Sequence, residues 1–598
     1  MLIDNDEKYL AMLDRLRTGP PLMVYDLETS GLDPFRGDRL IGVAILIPDM
    51  SGETPGETFY IPFRHLAGTN LPIDRLYWLA PFLADPQRSL VGFNLKFDVH
   101  STEIERIPVF NRHMDVMLAA HLANENELSF ALKHLGTKYL ESSAADAESE
   151  LMQKIKKKVK ELGGSTASAK LKGEMRVLPP EHVAPYAEQD VYLTWQLARF
   201  YQEVLTKQGL LHLWPEVNAY SETITAMERR GVLIDPERCK RNLEYAKQRQ
   251  EELYGQMRQI VGKDFNPNSV PQLREILKQK KTDRDTLIKL AQLKNPIAPL
   301  LLEYRAWVKV AGTYYEEFLK LMDDSYRIHP NLNLIGTISS RLSCSRPNLQ
   351  ALPRGTDVYR VRDLVIAPPG YVLVSFDWNQ AELRLLAHYT KDEFLLDAYR
   401  HQKDIHQETA DRIGITRTQA KRTNFSIVYG VGKIGLAEEL GISVPEAAQL
   451  LERYHAMLPG IRKLYSTSEQ IATRNRQIPM WTGRLRHYRE EDPTHRAMSH
   501  LIQGGVAEMA RIALTKLHRR LEGTRAYQIL QIHDEILFEV PIGQEIEIVK
   551  AIKAIMEDYP FDVPIVAEGK IGYSWGNMKP IDFRDGEPVI PKLERENV

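Results

Sequence analysis

The chain has 598 residues, of which 43% are hydrophobic and 26% charged, and its formal net charge is −2. That length asks for several domains, and that balance excludes a disordered or fibrous chain. No run of 18 apolar residues is present, which excludes a helical membrane span. The two cysteines, Cys239 and Cys344, lie too far apart and lack the spacing for a disulfide scaffold or a structural zinc. The start MLIDNDEKYL is too acidic for a signal peptide, so a reducing, cytoplasmic compartment fits. So small a net charge names no partner, yet leaves room for a basic groove.

A strand over Leu22–Tyr25 ends in Asp26, with Glu28 two residues on. Extended chain repeats every two residues, so both acids face one side. Further strands are predicted over 39–46 and Ser89–Phe93. The second leads into NLKFD, where Asn94 and Asp98 are four apart on one helical turn. In YAEQD, Tyr186 and Asp190 are four apart on another helix. Singly, each acid reads as a scattered surface residue. Together, Asp26, Glu28, Asp98 and Asp190 read as a carboxylate cluster at a sheet edge. Such a cluster holds two metals and activates water against a phosphodiester, with Tyr186 orienting that water. Between 141 and 180, KIKKKVK at 154–160 is a lysine run and GGSTASAKLKG at 163–173 reads as flexible, so the region is either a mobile basic flap over single-stranded DNA or a solvated linker.

Residues 201–330 are mostly helical in pattern. Trp214–Arg230 closes at Gly231, a long helix spans 236–261, and Asn268 or Ser269 caps the next. Leu287–Tyr304 reads as one helix, continued by Arg305–Leu321 after a small irregularity. The stretch 336–353 is loop-like, and its long donors Arg341, Asn348 and Gln350 suit the minor groove, where every base pair offers acceptors at similar places.

YVLVSF at 371–376 is an apolar strand ending in Asp377, and DWNQAELR brings Glu382 onto the next turn. Further on, Arg417, Lys421, Phe425 and Tyr429 recur every four residues. The first three share a broad helical face, and Tyr429 falls at the helix end. The face suits a triphosphate, with cations for its outer phosphates and a ring for sugar and base. A basic surface helix is the plainer reading. GVGK at 430–433 fails as a phosphate loop, since its glycine spacing is wrong and Ile434 replaces the needed hydroxyl. A long helix is predicted over 494–520. In AYQILQIHDEILFEVP, strands over Tyr527–Ile532 and Ile536–Val540 flank His533, Asp534 and Glu535. This is either an ordinary polar turn or a hairpin tip whose two acids await a hard cation. If the 371–376 strand lies beside it, Asp377 and Asp534 face one another and can hold two ions roughly 3.5–4 Å apart for phosphoryl transfer. The end, DGEPVIPKLERENV, reads as a loose tail.

DWNQAELR, RTQAKRTNFSIVYG and HDE, in that order and at wide spacing, resemble the three polymerase motifs of family A DNA polymerases, the bacterial DNA polymerase I type. The N-terminal acids resemble the three exonuclease motifs of DnaQ-like 3′–5′ proofreading domains, with every metal-binding acid present. The resemblance implies an α/β multidomain chain. An RNase H-like exonuclease domain would fill 1–205. A right-hand polymerase would follow, with thumb 206–330, palm 331–390, fingers 391–485, and second palm part and tail 486–598.

It implies DNA-directed DNA synthesis with 3′–5′ proofreading. Two Mg²⁺ ions would serve each site, held by Asp377 and Asp534 or by Asp26, Glu28, Asp98 and Asp190, with Mn²⁺ as a substitute. Glu535 and Lys421 would assist catalysis. Gln380 and Glu382 would lie against the nucleotide, Glu382 as the gate that crowds a ribose 2′-hydroxyl. Phe425, tyrosine in some members, goes with poorer acceptance of dideoxynucleotides. His533 would brace the primer end, and Gln503 and Arg496 would touch primer–template DNA. His495 stands where an arginine is usual, and Arg346 where an acid is usual. Lys280, Lys281 and Arg284 would grip phosphates from the thumb, or are ordinary surface charges. Asp115 would support the exonuclease acids or cap a helix. The partners implied are primer–template DNA and deoxynucleoside triphosphates, with a monomeric chain and no membrane. A 5′-nuclease domain is not expected, which fits a phage or mobile-element replicase in a host cytoplasm. The alternative is a 3′–5′ exonuclease whose C-terminal region only positions DNA.

Overall fold

The structure, a computed structural model, describes the chain except residues 52, 111, 142–143, 168–170, 354–358 and 595–598 and the side chains of 144–146. Its N-terminal part is built on a five-stranded sheet of order β3-β2-β1-β4-β5. These are β1 (Leu22–Thr29), β2 (Leu40–Ile47), β3 (Glu57–Pro62), β4 (Ser89–Gly92) and β5 (Arg112–Asp115). β1 pairs antiparallel with β2 and parallel with β4, so it is central. β2, LIGVAILI, is buried along its whole length, as an apolar run covered on both faces must be. β3 and β5 are additional to the strands legible from sequence, and β5 is too short to show a period.

Helix α1 (Leu95–Ile104) follows β4. The region read as a flap or linker contains α2 (Ala144–Glu161), whose Leu151, Ile155 and Val159 are buried four residues apart. Its lysines are the solvent side of an amphipathic helix packed on α3 (Pro180–Lys207). A 3₁₀ turn at Lys172–Val177 follows, while part of the 163–173 stretch lies outside the described residues. α3 crosses β1, β2, β3 and β4.

α4 (Trp214–Arg230) ends at Gly231, which takes φ 62°, and α5 (Pro236–Val261) starts from an Asp235 cap onto the Arg238 N–H. The helix Val270–Leu277 is not capped by a side chain. Ser269 makes no such bond, and Gln272 Oε1 instead takes the Asn266 N–H at 2.6 Å. The single helix expected over 287–304 is two, Arg284–Gln292 and α6 (Ile297–Val310). Asn295 turns the chain between them by accepting the Ile297 and Ala298 N–H groups. A π-helical turn over Ala311–Glu316 supplies the irregularity, six residues later than predicted from 305.

The second sheet has the order β7-β8-β6-β9-β10, antiparallel throughout. It comprises β6 (Tyr371–Trp378), β7 (Tyr527–Ile532), β8 (Glu535–Pro541), β9 (Ala567–Gly572) and β10 (Lys579–Pro580). Between β6 and β7 the chain is mostly helical, including α7 (Ala381–Thr390), α8 (Ile405–Ile413), α9 (Arg417–Val428) and α10 (Ala497–Leu521), with one short antiparallel strand pair, Gln477–Pro479 and Leu485–His487. The tail is not loose up to residue 589: Asp582–Arg584 pairs with Glu587–Val589, and Lys550 Nζ holds Glu587 at 2.6 Å. Its last four residues lie outside the described ones.

Two buried acids join the N-terminal part to the rest. Glu125 accepts Arg486 Nη1 at 2.6 Å and His487 Nδ1 at 2.9 Å. Glu228 accepts His100 Nε2 at 2.7 Å and Lys96 Nζ at 2.5 Å. Among the described residues no helix is long and apolar enough to cross a membrane.

Candidate active sites

Period two puts Asp26 and Glu28 on one face of β1, and one helical turn of α3 brings Asp190 over them. Carboxylate oxygens of these three residues lie within 4.8 Å of one another. Burial pushes Asp26 up to about 6, and burial with the Asp26 charge pushes Glu28 up to about 8. The donor set is oxygen only, which fits a hard divalent cation. Asp98 stands outside the three. Its Oδ1 accepts the Leu27 N–H at 3.1 Å, so it braces β1 beside Asp26, and burial holds its carboxyl well above the usual range. Asp115 is a cap for two helices. It accepts from Asn94 N at 3.0 Å and Leu95 N at 2.9 Å at the head of α1, and from Met117 N at 3.0 Å at the head of the next helix.

Two lysines that sequence reasoning passed over complete this site. Lys133 is ion-paired with Asp190 and lies 4.6 Å from the centre of the Tyr186 ring. Burial lowers its ammonium to about 8. Lys172 Nζ donates to the Tyr186 hydroxyl at 2.6 Å.

In the second sheet the register differs from the expectation. Asp377 pairs directly with Glu535, and Asp534 sits in the two-residue turn, its carbonyl accepting the Trp378 N–H at 3.3 Å. The turn is made by His533 at φ 54°, so Glu535 opens the return strand and is not at the tip. Its carboxylate accepts Trp575 Nε1 at 3.0 Å and lies 3.5 Å from Arg362 Nη1. A small cavity gathers Arg341, Gln350, His533 and Asp534, with Tyr220 and Gln531. Gln350 Nε2 is spent on the Leu342 and Gln531 carbonyls at 3.2 and 3.1 Å, and Asn348 caps its own 3₁₀ turn onto Gln350 N. Arg341 Nη2 holds buried Glu382 at 2.8 Å. Burial and the adjacent Glu382 push the Tyr429 phenol up to about 12. Gln380, at φ 55° before α7, accepts the Tyr399 hydroxyl at 3.0 Å.

α9 begins with a reciprocal cap between Thr416 and Gln419 and carries Arg417, Lys421 and Phe425. Arg417 Nε is held by Asp404 at 2.7 Å. The structure adds His406 of α8 to this face. It is buried, 5.8 Å from the Phe425 ring, and faces the Arg417 and Lys421 charges. No periodicity marks it in the sequence. Only the packing of α8 on α9 does. Gln503 lies on α10, and Arg496 and His495 are both exposed on the 3₁₀ turn before it. No contact among the described residues chooses between those two.

Two acid-bearing sheets in one chain, with a helix carrying Arg417 and Lys421 in the second part, are donor sets of the kind phosphodiester chemistry uses. Comparison with known proteins makes this specific. The profile of DNA polymerase family A matches residues 236–577, and a 3′–5′ exonuclease profile matches residues 2–206. The chain belongs to DNA polymerase family A and carries a DnaQ-like exonuclease domain. It is 30% identical to DNA polymerase I of Chloroflexus aurantiacus, over 95% of this chain and 62% of that protein. It is 27% identical to DNA polymerase I of Pseudomonas aeruginosa, over 93% of this chain and 63% of that protein. The chain thus spans a little over three-fifths of these relatives. Its fold matches the polymerase domain of Pol1 from M. smegmatis, solved in complex with DNA primer-template and dNTP. The TM-score is 0.78 at 23% identity, covering 96% of this chain and 99% of that one.

Proposed function

We propose that this chain extends a DNA primer along a template with deoxynucleoside triphosphates and removes misplaced 3′ ends by hydrolysis. The observation that carries the reading is that Asp26, Glu28 and Asp190 cluster on the first sheet, Asp377 and Asp534 stand at adjoining strand ends of the second, and the two family profiles cover these residues in order. The exonuclease lies in 1–205, the thumb in 206–330, the palm in 331–390 and 486–598, and the fingers in 391–485.

In the palm, Asp377 and Asp534 would hold two Mg²⁺ ions, or Mn²⁺, which would supply activation of the 3′-hydroxyl and charge stabilisation of the leaving pyrophosphate. Arg417, Lys421 and His406 bind the outer phosphates, and Phe425 packs on sugar and base. Glu382, fixed by Arg341, leaves no room beside the sugar for a 2′-hydroxyl. Arg341 and Asn348 meet the minor groove, Gln503 and Arg496 the primer–template strands, and His533 the primer end, while Gln350, both amide hydrogens engaged by carbonyls, steadies the loop beside the turn. Glu535, held by Trp575 and Arg362, fixes the turn that presents Asp534. In the exonuclease, Asp26, Glu28 and Asp190 would hold the ions, Asp98 steadies β1, and Tyr186 orients the attacking water.

The test is a labelled primer annealed to a longer template, with Mg²⁺ and with or without deoxynucleotides. Extension with them, and stepwise shortening without them, is the expected result. Shortening with no extension under any condition would reduce the chain to an exonuclease whose C-terminal region only positions DNA. Asp377→Ala should abolish extension and leave shortening intact.

A further inference from the structure

Tyr186 is gripped from a direction that the acid motifs do not account for. Lys172 Nζ reaches its hydroxyl at 2.6 Å and lies 5.1 Å from its ring centre. Lys172 stands on the 3₁₀ turn that follows α2, and α2 reaches back to it, Glu148 Oε1 standing 3.4 Å from the same ammonium. Glu148, Lys172 and Tyr186 therefore form a line from α2 to the carboxylates on β1. Tyr186 is buried, whereas the Lys172 side chain is half exposed. A phenol hydroxyl can swing about its C–O bond. An ammonium has donors only, so it must occupy a lone pair of the phenol oxygen. The phenol's own O–H is then left to donate on the side away from Lys172, with the Glu28 charge acting on it.

We propose that Lys172 is a positioning residue of the 3′–5′ hydrolysis: by holding the Tyr186 hydroxyl, and being held by Glu148, it fixes the donor that orients the attacking water. This rests on reading Asp26, Glu28 and Asp190 as the hydrolytic centre. It gives α2 and the turn after it a part in catalysis, where their composition suggested a linker or a strand-binding flap.

The experiment uses the full chain and a 5′-labelled single-stranded oligonucleotide in single-turnover digestion with Mg²⁺. Rate is measured against oligonucleotide concentration for the wild type, Lys172→Met, Lys172→Arg, Tyr186→Phe and the Lys172→Met/Tyr186→Phe double variant. Mn²⁺ binding to the DNA-free proteins is followed by electron paramagnetic resonance. Lys172→Met is expected to lower the maximal rate about 10- to 100-fold. Half-saturation should stay within about twofold and Mn²⁺ should still bind, because no carboxylate is removed. Lys172→Arg should recover part of the rate. In the Tyr186→Phe background Lys172→Met should cost nothing further, since the hydroxyl it holds is gone.

An unchanged rate in Lys172→Met, or a full additional loss in the double variant, overturns the proposal. A rise in half-saturation alone overturns it too and makes Lys172 a strand contact. If Lys172→Met misfolds and loses Mn²⁺ binding, Glu148→Gln decides. A fall in rate of about threefold supports the line of contacts, and no change overturns it. Failure of the underlying reading is distinguishable, because the wild type would then not digest the oligonucleotide or Asp190→Ala would still do so.

Discussion

In the N-terminal sheet the acids are packed inside the molecule. Asp26 and Glu28 lie on the central strand, α3 lays Asp190 over them, and Lys133 and Lys172 already stand beside the group. In the second sheet Asp377 is one residue from the end of β6, and Asp534 occupies a turn. The cations proposed to serve there, Arg417 and Lys421, lie on a different helix, and Arg417 is half in solvent. The difference follows from what each reaction must admit. On the proposed assignment, hydrolysis takes one strand end and water, so its centre can be built closed and counter-charged in advance. Synthesis takes a fresh triphosphate in every cycle, so its cations must be reachable and are, in the meantime, shared with acids of the surface such as Asp404.

The largest effect should come from exchanging which centre is disabled. Asp26→Ala is expected to slow 3′-end digestion by about 10³-fold or more while extension rates stay within about twofold, and Asp534→Ala to do the reverse. Parallel digestion and extension assays on the same preparations check this. A variant that loses both activities would mean that the two centres are not independent.

The second effect is a pH dependence confined to the closed centre. Glu28 is raised to about 8 and Asp26 to about 6, so below those values a divalent ion must expel protons that ordinary carboxylates would already have lost. The Kd for Mn²⁺ is expected to fall about tenfold per pH unit from pH 6.5 to 7.5, and to level off above pH 8. The sign for stability is the opposite. A carboxyl whose folded pKa is raised stabilises the metal-free fold at low pH, and this is lost as pH climbs through about 8. Without metal, Tm should therefore drop from pH 5 to pH 8, and Mg²⁺ should restore most of it at the upper end. Calorimetric scans with and without Mg²⁺ would show it. A flat profile would mean that Lys133 and Lys172 already keep the carboxylates ionised.

What the sequence makes legible is whatever repeats locally. Asp26 and Glu28 are two apart in a strand, and Tyr186 and Asp190 four apart in a helix, so each pair announces its own face. The spacing of Arg417, Lys421 and Phe425 does the same for α9. Lys133, Lys172 and His406 carry no such signature. They arrive at their sites because one element packs on another, a helix for Lys133 and His406 and a 3₁₀ turn for Lys172, and nothing in the neighbouring residues encodes that packing. The helix over 144–161 is hidden for a different reason. Its lysines dominate the composition, and the buried Leu151, Ile155 and Val159 that make it fold are a minority at a spacing of four. At the hairpin, HDE does not say which acid starts the return strand. His533 in a left-handed conformation decides it, and moves Glu535 to the strand opposite Asp377.

The open site should respond to charge removal more mildly than the closed one. Lys421→Ala is expected to raise the KM for deoxynucleotides about 10- to 100-fold, the worth of a charge-assisted contact to phosphate, with less effect on DNA binding. Steady-state extension over a range of nucleotide concentrations separates the two. An effect on the DNA half-saturation alone would move Lys421 from the nucleotide to the template.

The smallest effect tests the loan of Arg417 directly. Asp404 has two roles, since its side chain caps α8 at the N–H groups of His406 and Gln407, at 3.0 and 3.2 Å, and pairs with Arg417. Asp404→Asn separates them, because asparagine caps a helix about as well as aspartate but carries no charge. Both partners are near half exposure, so the pair is worth no more than about 1 kcal/mol in solution. Releasing Arg417 should therefore lower the nucleotide KM by about two- to fivefold and leave Tm within about 2 °C. The gain should shrink as salt rises, because only the unscreened part of the pair competes with phosphate. A higher KM in Asp404→Asn would show that the acid aims Arg417 at the triphosphate. In that case the second centre is pre-organised after all, and what separates it from the first is accessibility and not readiness.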